Sequence, residues 1–299
     1  MLKDSIDTID RLTVICFSPT RTSRKIAEAV AAGMTGMSGG TADYADASRQ
    51  IRTIDLTLDR SDEPIILNSG GAVVLGAPVY AGRVAPEAVR RLRRIQVAAG
   101  ASVPAVVTVT YGNRDYEDAL VELYDLAVSL GLSPFAAGAF IGEHSYSTPE
   151  MPVAVGRPDS MDIADARIFS GQCRQKLDGP GAFAPFSIKG NRPYKEPSRP
   201  ASDTSRTAQS SSGSPAKPAP SVPLTADGCP LCGECVRVCP TGAVSIDLNV
   251  RKVLTDHTLC IHCCACVRAC PAGLRTYTTP FTAFLHEHCS ARRDPETFL

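Results

Sequence analysis

Several things are missing from this sequence, and each absence removes a class of function. No apolar run approaches the ~18–20 residues of a spanning helix, so a membrane protein is not expected. The opening residues carry Lys3 among Asp4, Asp7 and Asp10, with no apolar stretch, so an export signal is not expected either. Charge of one sign is not in excess: 31 Lys+Arg stand against 31 Asp+Glu, and no zone has the basic balance of a nucleic-acid binder. No G-x-G-x-x-G motif follows a strand, and Gly36 to Gly40 comes after a helix pattern rather than before one, so a nicotinamide site is unsupported. Nothing in the chain looks like a catalytic dyad.

Cysteine, by contrast, is plentiful, with 12 residues. Eight of them repeat one pattern. Cys229, Cys232, Cys235 and Cys239 follow C-x2-C-x2-C-x3-C with Pro240 behind, and Cys260, Cys263, Cys266 and Cys270 repeat it with Pro271. Short steps let three thiolates converge on one iron–sulfur cubane, while the fourth turns to the neighbouring one. One 4Fe–4S cluster is then expected on Cys229, Cys232, Cys235 and Cys270, and the other on Cys260, Cys263, Cys266 and Cys239. Structural zinc favours two separated ligand pairs, and a disulfide framework belongs to small secreted domains. The segment resembles the bacterial two-cluster ferredoxins over about 50 residues. Cys16, Cys173, Cys264 and Cys289 remain as free thiols, which fits a reducing cytoplasm.

Three zones are expected: residues 1–178, a linker over 179–226, and a small domain over 227–299. The first alternates apolar strand patterns (Leu12 to Phe17, Ile51 to Leu58, Ala72 to Leu75, Ala105 to Val109, Phe135 to Ile141) with helical ones. The helical patterns run from Arg24 to Ala32, Pro86 to Ile95, Asp115 to Leu130 and Ile163 to Leu177. Strands apolar on both faces and separated by helices imply a doubly wound α/β fold with a five-stranded parallel sheet. The second zone is rich in Pro and Ser and reads as a flexible tether, with Phe183 to Pro197 aromatic enough to dock. The third is too small for an ordinary core, so its clusters must stabilise it; a short helix over Phe281 to His288 is expected in its tail.

The first strand runs into Ser18-Pro19-Thr20-Arg21-Thr22-Ser23 and then a helix, a row of hydroxyls and N–H groups suited to an anion. Pro78, Tyr80 and Gly82 follow the third strand, and Tyr111, Gly112 and Asn113 follow the fourth. Both loops fall at the carboxyl edge, where open sheets bind ligands. With its strand pattern, this zone resembles a flavodoxin, which implies the order 2-1-3-4-5 and FMN. In that resemblance Ser18, Thr20, Arg21, Thr22 and Ser23 hold the phosphate, while Tyr80 and Tyr111 stack on the ring and the two glycines allow close approach. Arg21 stands where flavodoxin loops usually carry Gly, a position that often has positive φ; its guanidinium offers a phosphate contact instead.

Nearly the whole chain resembles the flavodoxin–ferredoxin fusion family of anaerobic bacteria and archaea. That resemblance implies FMN in the first domain and two 4Fe–4S clusters in the second, and it does not supply a physiological partner. The function expected from these cofactors is electron transfer, a carrier more than an enzyme, passing electrons between the clusters and FMN and exchanging them with separate redox partner proteins. The alternative is a flavin-dependent reductase of a small quinone-like acceptor. Among smaller features, Glu143 and His144 follow the fifth strand, Arg90, Arg91, Arg93 and Arg94 read as a solvated helix face, and His286, His288 and Cys289 read as solvent-facing.

Overall fold

The computed structural model describes residues 11–35, 51–196 and 222–299. Its main sheet runs β2 (Ile51–Asp55), β1 (Arg11–Cys16), β4 (Gly71–Tyr80), β7 (Pro104–Tyr111), β8 (Ser133–Ile141) and β13 (Glu296–Phe298). The first five are parallel, so in chain order they stand 2-1-3-4-5, and β13 closes the β8 edge antiparallel.

Side-chain alternation divides these strands between two cores. Val14, Cys16, Val74 and Val106 pack on one face with Ile26 and Val30 of α1 (Thr22–Thr35) and Phe169 of α4 (Ser160–Asp178). Ile15, Phe17, Leu75 and Val107 pack on the other with Leu92 of α2 (Pro86–Leu92) and Leu120 and Leu123 of α3 (Ala119–Ser129). Both faces are covered, which is why the strands read as unbroken apolar runs. No helix among the described residues is long and apolar enough to cross a membrane.

Three local expectations are corrected. The helix expected to reach Ile95 stops at Leu92, because Ile95–Val97 (β6) pairs in parallel with Ile65–Leu67 (β3). The third strand continues well past Leu75, through Pro78 to Tyr80, where a short hairpin with β5 (Arg83–Val84) turns it back. The tether expected from residue 179 begins later, since residues up to 196 pack along α3. Asp118, fully buried, accepts from Asn191 N at 2.8 Å and Lys195 N at 2.7 Å, and Phe186 meets Tyr124 edge-on at 5.7 Å. Most of the remaining tether lies outside the described residues.

The small domain has two antiparallel strand pairs, the hairpin of β10 (Val244–Asp247) with β11 (Lys252–Thr255) and the long-range pair of β9 (Leu224–Thr225) with β12 (Arg275–Thr276). Two single-turn helices, α5 (Glu234–Arg237) and α6 (Ala265–Arg268), complete it. Its buried core is Cys235, Cys239, Ala243, Val244 and Cys266. A core made mostly of thiols cannot hold a fold by apolar burial alone. In the tail, α7 (Pro280–His288) starts at Pro280, with Thr279 N donating to Thr282 Oγ1 at 3.3 Å.

Candidate functional site

The duplicated cysteine run folds as a duplicated structure. Leu231 and Gly233 have left-handed backbone (φ 58° and 80°), and so do their counterparts one repeat on, His262 and Cys264 (φ 54° and 56°). Such turns aim successive N–H groups inward, as in an anion nest. One cavity is lined by Cys229, Cys232, Cys235 and Cys270, and a second by Cys239, Cys260, Cys263 and Cys266. In each cavity three cysteines of one run meet the fourth of the other.

The two cages differ in burial. Cys232 is exposed, whereas Cys263 and Cys266 are both 7% exposed. Burial pushes the Cys263 thiol up to about 12. At Cys270 burial acts the same way but is outweighed by the N–H groups of Leu274, Ala272, Arg275 and Gly273, which hold that thiol below its ordinary value. Cys264 is buried, and its Sγ donates to His262 O at 3.6 Å. Cys16 and Cys173 are fully buried packing residues of the large domain. All the cysteines are free of disulfides.

The second cage sits against the large domain. Arg91, expected on a solvated face, is 1% exposed instead. It donates to Leu56 O, to Thr57 O at 2.6 Å and to Pro240 O at 2.6 Å, and pairs with Glu87 at 2.7 Å. Arg60 reaches the carbonyl of Cys239 itself at 3.1 Å. Arg268, at the end of α6, donates to His144 O at 3.0 Å and pairs with Glu143 at 3.2 Å. Ile261 packs on the core beneath. An aromatic run crosses the same junction: His144 to Tyr146 at 5.1 Å, Tyr146 to Tyr277 at 5.2 Å, and Tyr277 stacked on His262 at 5.6 Å. Burial raises the Tyr80 hydroxyl well above its ordinary value, with Cys263 and Cys264 adding to the effect.

The expected phosphate residues lie together at the start of α1. Ser18 Oγ accepts from Arg24 N at 3.0 Å, and Ser18 N donates to Thr57 Oγ1 at 2.7 Å. Thr20 and Thr22 hydroxyls are 3.4 Å apart. Arg21 has φ 65°, so it adopts the backbone that glycine usually provides, and its side chain is exposed. Ser23 Oγ and Thr110 Oγ1 are buried without a hydrogen-bond partner among the described residues. Unpartnered buried hydroxyls beside a helix N-terminus suit a phosphate.

The residues expected beside the ring make contacts within the chain. Pro78 is buried in β4, its carbonyl accepting from Ala85 N at 3.1 Å. Gly82 and Gly112 allow close approach by the chain itself: an added Cβ would lie 2.4 Å from Glu117 Oε2 at the first and 2.3 Å from His144 Cδ2 at the second. Tyr80 ends β4 and pairs with Arg83 in the hairpin. Tyr111 is 2% exposed, 5.4 Å from Tyr116 and 5.8 Å from the Arg293 guanidinium, with its hydroxyl unpartnered. His144 Nδ1 accepts from Tyr146 N at 3.0 Å, so the neutral ring carries its proton on Nε2. Burial, helped by Arg114 and Arg268, lowers its pKa to about 4.

Sequence reading missed the tail as part of this edge. Asn113 Nδ2 donates to Cys289 O at 2.6 Å and Ala291 O at 2.8 Å. Arg292 pairs with Asp159 at 2.7 Å, at the capping box of α4, and Tyr116 donates to Glu296 at 2.8 Å. His286 Nδ1 lies 3.0 Å from Pro152 O, and His288 Nδ1 lies 3.0 Å from Phe284 O. Among the described residues no group of three or more His, Cys, Asp or Glu is placed to hold a single metal ion.

Residues 228–274 match the 4Fe–4S dicluster domain family. No curated protein matches the chain. Among solved structures it is similar to rubredoxin oxygen:oxidoreductase from the anaerobe Desulfovibrio gigas, with 11% identity and a TM-score of 0.32 over 55% of this chain and 34% of that one. The chain thus spans about a third of that oxidoreductase. It is also similar to a flavodoxin from the domain Archaea (10% identity, TM-score 0.33, 56% of this chain and 99% of that one). A WrbA-like flavodoxin from Agrobacterium tumefaciens gives 16% identity and a TM-score of 0.27, over 55% of this chain and 94% of that one. The iron–sulfur domain carries a redox, electron-transfer role. By its own strand order and its cysteine domain, the chain is a fusion of a flavodoxin-like α/β domain with a 4Fe–4S dicluster domain.

Proposed function

We propose that this protein is an electron carrier holding two 4Fe–4S clusters and one FMN, and that it exchanges electrons one at a time with separate redox proteins. Cys229, Cys232, Cys235 and Cys270 hold the first cluster; Cys260, Cys263, Cys266 and Cys239 hold the second. The phosphate of FMN is held by Ser18, Thr20, Arg21, Thr22 and Ser23, with Thr110 beneath. Bound flavin supplies a centre that takes one or two electrons, joining single-electron clusters to two-electron chemistry.

The observation that carries this reading is the aromatic run from His262 through Tyr277 and Tyr146 to His144, which links the second cage to the strand edge with ring separations of 5.1 to 5.6 Å. Residues 239–240, 261 and 268 fix that contact through Arg60, Arg91, Ile261 and Arg268. Tyr111 and Asn113, at the end of β7, are buried, and Asn113 is bonded to the chain's own tail, which supports a carrier over a reductase.

The test is anaerobic mixing of the oxidised protein with a reduced ferredoxin. Bleaching of flavin absorbance without turnover of added quinone supports the carrier. Sustained quinone turnover overturns it in favour of the reductase.

A further inference from the structure

The two halves of the small domain obey one repeat of 31 positions, and at one place they differ sharply in chemistry. Five residues after Cys239 stands Val244; five after Cys270 stands Arg275. Val244 lines the second cage and is 4% exposed, while Arg275 lines the first and is 2% exposed. One cage therefore has a guanidinium in its wall where the other has two methyl groups.

Arg275 is held firmly but not neutralised. Its Nη1 donates to Thr225 Oγ1 at 2.7 Å and its Nη2 to Thr255 Oγ1 at 2.6 Å, one threonine from each strand pair. Its Nε is buried with no hydrogen-bond partner among the described residues. It forms no ion pair with a carboxylate among the described residues. Burying a cation without a counter-charge is strongly unfavourable, so an anion nearby is called for. The negative charge available in that wall is cysteine sulfur, since Arg275 lines the same cavity as Cys229, Cys232, Cys235 and Cys270.

We infer that Arg275 is the built-in counter-ion of the first cluster, donating from Nε–H to sulfur in the cage of Cys229, Cys232, Cys235 and Cys270. Reduction adds one negative charge to a cluster, and a buried cation with a hydrogen bond to sulfur stabilises that added charge. The first cluster therefore holds an electron more tightly than the second, and Arg275 is the residue that separates their potentials. The cations near the second cage are placed less effectively. Arg91 is paired with Glu87 and spends its N–H groups on carbonyls, and Arg60 is exposed. An electron shared by the pair rests at the cage with the exposed Cys232 and passes through the cage docked on the large domain.

This inference rests on the proposed function, and the test separates the two. The full-length protein is loaded anaerobically with iron and sulfide, and each cluster is titrated by paramagnetic resonance, its signal assigned with a Cys232→Ser variant. In Arg275→Met the first-cluster midpoint is expected to fall by about 59 mV, a tenfold shift for one electron, while the second moves less. Arg275→Lys keeps the charge without that N–H and falls by a smaller amount. Equal midpoints in parent and Arg275→Met, each with about eight irons per chain, overturn the role of Arg275 and leave the carrier reading standing. If Arg275→Met binds less iron, Arg275→Lys decides: a midpoint equal to the parent's overturns the assignment. A parent protein without iron overturns the carrier reading itself.

Discussion

Arg91 Nη2 donates to the carbonyl oxygen of Pro240 at 2.6 Å, so a buried cation of the flavodoxin-like domain is bonded to the residue beside a cage cysteine. The same guanidinium holds Leu56 O and Thr57 O at the end of the β1–β2 edge. One side chain therefore ties the strand edge to the second cage, and fixes their spacing.

Arg91→Met should destabilise the protein by about 2–4 kcal/mol, because three buried carbonyls lose their donor while Glu87 loses one of its two arginines. Chemical denaturation of the anaerobic protein measures this. A change below about 0.5 kcal/mol would show that the contact is incidental.

His144 gives a pH signature. Its folded pKa of about 4 lies below the ordinary 6.5, so the unfolded chain takes up a proton first as pH falls. Stability attributable to this residue is complete above pH 6.5 and declines toward pH 4, by up to about 3 kcal/mol. The loss between pH 7 and pH 5 should be smaller in His144→Asn than in the parent, as read by thermal unfolding at each pH. An identical slope in both would remove His144 as its cause.

Thr20→Glu and Thr22→Glu put a carboxylate at the N-terminus of α1, beside the exposed Arg21. Charge repulsion should abolish retention of FMN while leaving iron content unchanged. Yellow protein with normal flavin stoichiometry would refute the phosphate assignment.

Asn113→Ala removes both donors to the tail carbonyls of Cys289 and Ala291, at a cost of about 1–3 kcal/mol. Amide exchange over residues 289–299 should rise, and the β8 edge should lose protection with it as β13 frays. Unaltered exchange there would mean that β13 and Arg292 hold the tail without Asn113.

How much of this was legible in the sequence follows from how local each signal was. The cysteine runs specify their turns at short range, and the apolar strands advertise a sheet covered on both faces. Contacts between distant segments left no such mark. Arg91 sits in a row of arginines that looks solvated until Leu56 and Pro240 close over it. β13 has three residues and no periodicity, and it forms because β8 offers an open edge. Tyr80 and Tyr111 were recognisable as edge aromatics, but only the fold shows that one ends in a hairpin with β5 and the other lies under Arg293. Val244 and Arg275 could have been aligned by counting, yet the importance of the pair appears only once both side chains are seen to be buried.

The most direct check on the whole account is a count of iron, sulfide and flavin in anaerobically isolated protein, beside Cys229→Ala. About eight irons and one flavin per chain are predicted for the parent, and about four irons with flavin retained for the variant. A colourless parent, one that carries only zinc, or a variant that keeps all its iron would contradict it.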